Sequence, residues 1–304
     1  MDATDVRTRV VGEFLALAFG ISWTGALVLF LAGIGFDTVV GTALLVVTFM
    51  WGPAVAAIVV ARRRGESIRA RCGIARGRPR WIVLAWLLPV GLLGATIGVG
   101  AAIPGVSLTT DYATYFLEAG LSEADAAATV EQLEALPVPA AAVFVGQALV
   151  AGATINALAA AGEELGWRGL LLSELSELGF WPVSLLTGVV WGVWHAPVII
   201  QGYNFPEFPV VGVAVMTVAT VAMAPVYTYV TVRAETALAP TILHGTYNAV
   251  GGLAVLYLAG APNLVIAPVG VAGIGAAVLA VGACLVHDRL ADERITDGGP
   301  LSPW

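Results

Sequence analysis

Three short clusters place ionisable side chains inside long apolar stretches. Such a group costs about 2.5–3.5 kcal/mol at the centre of a spanning helix, so its presence points to function. The first cluster is Gly162-Glu163-Glu164-Leu165-Gly166-Trp167-Arg168-Gly169. Glu164 and Arg168 are four apart, share a helix face and can pair. Glu163 projects about 100° away and has no cation in its own helix to pair with. A carboxylate left over beside a neutralised pair is a natural general base. The second cluster is Trp191-Gly192-Val193-Trp194-His195-Ala196-Pro197, in which Pro197 deprives the Val193 carbonyl of its helix donor and can kink the chain there. The third is His244-Gly245-Thr246-Tyr247-Asn248, with His244 and Asn248 on one helix face. Taken singly, each cluster has a plainer reading. The first fits a helix end with surface charges, the second a satisfied core imidazole, and the third an interhelical hydrogen-bonding pair.

The elements that must position these residues are membrane helices. Of 304 residues, 59% are hydrophobic and only 12% are charged, against about 25% charged in ordinary soluble domains. That balance excludes a cytosolic enzyme, a disordered tail and a nucleic-acid binder. Apolar segments fall at roughly 10–33, 39–61, 81–104, 139–163, 181–200, 208–232, 236–258 and 263–286, each near the roughly 20 residues that cross a bilayer. The expected fold is an all-α polytopic transmembrane helical bundle of about eight spans, with residues 1–304 as a single integral membrane domain. The 36 glycines suit close helix packing in lipid. The helical pattern of the fourth segment continues through Glu163-Glu164 to about Leu178, as one long tilted helix. No internal repeat is evident. The first apolar run is longer than a signal h-region and reads as a spanning helix rather than a cleaved leader. Cys72 and Cys284 lie far apart and suggest neither a disulfide framework nor a thiol site.

All 14 cations are arginine. With eight spans, Arg7 and Arg9, the cluster from Arg62 to Arg80, Arg168, Arg233, Arg289 and Arg294 share one side. The positive-inside rule makes that side the cytoplasm, with both termini inside a cell-membrane protein. The loop 105–138, with Asp111, Glu118, Glu123, Asp125, Glu131 and Glu134, then lies outside; the stretch 110–136 reads as helix with a solvated acidic face. Measured from the cytoplasmic ends at 1.5 Å per residue, Glu164, His195 and His244 all sit about 16–21 Å deep. Three helices thus bring acid, imidazole, and imidazole with amide to a similar level, which favours one site.

Glu163-Glu164-x-x-x-Arg168, Trp191-x-x-x-His195 and His244-x-x-x-Asn248, in order on successive hydrophobic segments, resemble the CAAX-protease and bacteriocin-processing (CPBP, or Abi) family. That family includes the type II CAAX prenyl endopeptidases and their prokaryotic relatives. Its second motif is commonly written with Phe where this chain has Trp191. The resemblance implies an intramembrane endopeptidase, a hydrolase acting on a membrane-tethered protein or peptide, with prenylated CAAX-type proteins among the candidates. It implies that Glu163 and His195 activate water, that His244 and Asn248 stabilise the oxyanion, and that Arg168 holds Glu164. The chemistry agrees. Peptide hydrolysis needs a base near neutrality, and burial moves carboxyl groups toward that range. Donors aimed at the developing oxyanion supply the largest usual share of the rate.

A zinc form is also open, with His195, His244 and Glu163 or Glu164 as the His₂Glu set. A metal-free mechanism without any cofactor is preferred, because Asn248 is a poor zinc ligand. The competing classes are a non-catalytic membrane scaffold or immunity-type protein, and a proton-coupled transporter. The first leaves Glu163 without a partner. The second lacks the duplicated halves of many transporters.

Overall fold

The computed structural model describes residues 3–36, 38–118 and 120–304. It is an all-α polytopic membrane bundle. Long helices form where apolar residues run for 20 or more positions. They are α1 (Ala3–Leu31), α2 (Val39–Arg63, with a π-helical turn at Val46–Met50) and α3 (Pro79–Ala101). Two short helices follow, α4 (Tyr112–Glu118) and α5 (Glu123–Glu134), the latter capped by the Ser122 side chain. Then come α6 (Ala140–Ala153), α7 (Ile155–Leu178), α8 (Phe180–Ile200), α9 (Pro209–Ala234), α10 (Leu238–Tyr257) and α11 (Val271–Leu290). Strand β1 (Ser107–Leu108) pairs antiparallel with β2 (Leu258–Ala259). Large apolar side chains such as Phe30, Leu31, Val39, Val150, Leu158 and Val210 face outward, as a lipid-exposed surface requires.

Among the described residues six helical stretches are long and apolar enough to span, and up to seven if the bent pair α6–α7 counts as one. The remaining expected segment forms α10, which is 20 residues long but is not apolar enough to qualify. Its polarity comes from the third motif. It still crosses the bundle: the Ala237 N–H donates to the Gly73 carbonyl (2.8 Å) at one end, and Leu258 pairs with Leu108 at the other.

The expectation of one long tilted fourth helix is corrected. The chain breaks at Thr154, whose backbone leaves the helical region (φ −119°, ψ −97°), and α6 and α7 meet at 49°. The Thr154 hydroxyl bonds back to the Val150 carbonyl (2.7 Å), giving the freed backbone a local partner.

Arg168 is not with the other arginine groups as expected, because it is fully buried inside the bundle beside Glu164. Ion pairs gather the other groups at one end. Arg7 pairs with Glu177 (3.3 Å), Arg63 with Glu13 (2.5 Å), Arg71 with Glu174, Arg78 with Glu235, and Arg233 with Asp288 (2.5 Å). The segment after α11 folds over the same end, where the Leu301 N–H donates to the Ser176 carbonyl (2.9 Å). The acidic helices α4 and α5 lie at the opposite end with the β1–β2 ladder, Tyr112 standing edge-on to Tyr257. Glu123 and Asp125 are exposed there, while the side chain of Glu118 lies outside the described set.

Candidate active site

The first motif sits where α7 changes its winding. Leu165–Leu171 is π-helical, a local widening that often marks functional sites. Gly162, Gly166 and Gly169 let neighbouring backbone come close: a side chain there would collide with Met50 and Trp51, with Pro53, and with Cys72 respectively. The packing buries the motif. Glu164 and Arg168 are fully buried, and Glu163 is 2% exposed.

Arg168 Nη1 donates to Glu164 Oε1 at 3.0 Å, the i,i+4 pair expected from the spacing. The guanidinium carbon lies 4.4 Å from the Trp191 centroid and 4.4 Å from that of Tyr227, two rings that pack against each other with centroids 5.4 Å apart. A cation–ring contact is worth about 2 kcal/mol when desolvated. The same Glu164 oxygen faces His244 Nδ1 at 2.8 Å. A carboxylate accepts, so Nδ1 carries the proton and donates. Glu164 therefore joins α7 to α10 as well as holding Arg168.

Glu163 has no cationic partner. Its Oε2 accepts the Trp191 indole N–H at 2.7 Å. Among the described residues its Oε1 has no hydrogen-bond partner, yet it is not one of the oxygens sealed away without a partner.

His195 lies at the break between the two parts of α8, Phe180–Trp194 and Ala196–Ile200. This is the kink that Pro197 predicts. The His195 N–H bonds the Gly192 carbonyl (3.1 Å). The Trp191 carbonyl thereby takes the imidazole Nδ1 of His195 at 2.8 Å. A carbonyl only accepts, so Nδ1 bears the proton and Nε2 presents its lone pair. Among the described residues no hydrogen bond joins Glu163 directly to His195; Trp191 is bonded to both.

On α10 the expected shared face holds, but its two residues differ in exposure. His244 is 5% exposed, whereas Asn248 is exposed and, among the described residues, has no hydrogen-bond partner. Its amide is free to donate. The oxyanion donor expected at His244 is committed: the Nδ1 proton goes to Glu164, so only a doubly protonated ring can also donate from Nε2.

Spacing had not singled out Tyr227 or the indole N–H of Trp191. Tyr227 is fully buried in α9 and stands edge-on to His244, with ring centroids 5.8 Å apart. Nothing in its apolar surroundings in sequence marks it. Trp191 was visible as part of the second motif, but only as a ring.

Zinc would need at least three donors converging on one point. Among the described residues no three His, Cys, Asp or Glu side chains are so grouped. His244 Nδ1 and His195 Nδ1 are engaged by Glu164 and by Trp191, which leaves Nε2 as the open nitrogen of each ring.

Residues 145–250 match the family described as Type II CAAX prenyl endopeptidase Rce1-like. This agrees with the resemblance to the CPBP family carried by the three motifs. The matched stretch holds Glu163, Glu164, Arg168, His195, His244 and Asn248. It is a protease family, which supports peptidase activity in a multi-pass membrane protein. No curated protein matches the chain.

Proposed function

We propose that this protein is an intramembrane endopeptidase that hydrolyses a peptide bond in a membrane-tethered protein or peptide, with a prenylated CAAX-type segment as its substrate class. The observation that carries this reading is Glu163. It is a buried carboxylate with one oxygen fixed by Trp191, the other free, and no cation bonded to it.

In this reading Glu163 Oε1 takes a proton from water as the water oxygen attacks the scissile carbonyl. His195 Nε2, a lone-pair acceptor, holds the same water in line. The developing oxyanion takes the free amide of Asn248 and, with the ring doubly protonated, Nε2–H of His244. Glu164 accepts from that imidazolium as it does from Arg168. Glu163 then delivers its proton to the leaving amine. No step needs a metal. We place the arginine end in the cytoplasm and both termini with it, in the cell membrane.

The test is cleavage of an internally quenched, farnesylated peptide ending in a CAAX sequence by the purified protein in liposomes, beside the same peptide without the lipid. Cleavage of the lipidated peptide supports the reading. Cleavage of both peptides alike contradicts the prenyl preference, and cleavage of neither contradicts the protease assignment.

A further inference from the structure

Trp191 touches four of the site's polar side chains. Its indole N–H reaches Glu163 (2.7 Å), its carbonyl receives His195 Nδ1 (2.8 Å), its ring face covers Arg168 (4.4 Å), and its edge meets His244 (centroids 5.4 Å apart). We propose that Trp191 is the positioning residue for both water-activating side chains, fixing the carboxylate rotor of Glu163 and the tautomer of His195. This deepens the endopeptidase reading and rests on it.

The two hydrogen bonds work through different atoms. A carboxylate on a flexible side chain can present either oxygen in several directions. Holding Oε2 on a buried N–H leaves Oε1 as the oxygen that can meet a water. An imidazole can carry its proton on either nitrogen. Holding Nδ1–H on a carbonyl leaves Nε2 as the acceptor, and the helix break supplies that carbonyl because His195 N–H has turned to Gly192. One residue thus gives base and acceptor their working orientation. The replacement of Phe by Trp in the second motif is therefore not a neutral exchange of rings. Phe keeps the face over Arg168 and the edge toward His244, but it has no N–H for Glu163.

The test uses the full chain in detergent and two readouts. With ¹⁵N-labelled tryptophan, the Trp191 indole N–H resonance is assigned by its loss in Trp191→Phe. It is expected downfield in the parent and shifted upfield in Glu163→Ala. With the farnesylated CAAX peptide, Trp191→Phe is expected to lower kcat by about 10- to 100-fold with KM unchanged, since a hydrogen bond to a charged group is lost and a ring retained. A ring needed only for packing would leave kcat at the parent value. A parent that cleaves, with a Trp191→Phe protein that matches its kcat, overturns this inference and leaves the endopeptidase reading standing. A parent that cleaves nothing overturns that reading, and the resonance then decides the Glu163 contact by itself. An indole N–H spectrum in which no resonance moves upfield in Glu163→Ala overturns the inference even where Trp191→Phe fails to fold.

Discussion

His244 and Glu164 are 80 residues apart in sequence and meet at 2.8 Å, on the oxygen that also receives Arg168. Glu164 is the common counter-charge of two helices. Breaking a buried ion pair from one side costs about 3–5 kcal/mol, because the surviving charge stays unpaired in a dry place. Arg168→Ala should therefore lower the melting temperature in detergent and abolish cleavage. Glu164→Gln should also melt early, because it strands the buried Arg168 beside Trp191 and Tyr227. An Arg168→Ala protein that melts like the parent would contradict the pairing.

The acidic helices and the arginine clusters occupy opposite ends of the bundle, which makes orientation testable with one position. Glu123 is exposed at the start of α5, whereas Cys72 is buried and Cys284 half-buried. Glu123→Cys should react with a membrane-impermeant maleimide in intact cells. Reaction only after permeabilisation would reverse the orientation.

Metal dependence separates the two open chemistries. The purified protein should retain its cleavage rate after chelation of divalent ions, and elemental analysis should find no stoichiometric zinc. About one zinc per chain, lost in both His195→Ala and His244→Ala, would replace the proposed mechanism with a metal-assisted one.

The parts of the site that sequence reveals are those set by one helical turn. Glu164 with Arg168, and His244 with Asn248, are i,i+4 relations that a helix imposes locally. The break at His195 was legible for the same reason, because Pro197 removes a donor four residues on from a known carbonyl. Contacts between helices were not legible. The bonds from Trp191 to Glu163 and from His244 to Glu164 depend on how α7, α8 and α10 pack. Hydrophobic patterning gives no such register when helices are apolar all round. The break at Thr154 escaped as well, since no proline marks that position, and Gly152, Thr154 and Asn156 are too few to end the apolar run around them. In α10 the third motif lowers the apolarity of a crossing helix, so the residues that reveal the site also weaken the signal for the span that carries it.

Glu163 carries the central claim, and its amide variant tests it most directly. Glu163→Gln keeps the size of the side chain and an oxygen that can accept the Trp191 N–H, but it removes the base. Its stability should equal or exceed the parent's, because a buried unpaired carboxylate has been deleted. The measurement is the initial rate of cleavage of the farnesylated CAAX peptide by parent and Glu163→Gln proteins matched for melting temperature. The expected result is cleavage by the parent and a near-total loss in the variant. A folded Glu163→Gln protein that keeps most of the parent rate would contradict the assignment of Glu163 as the base.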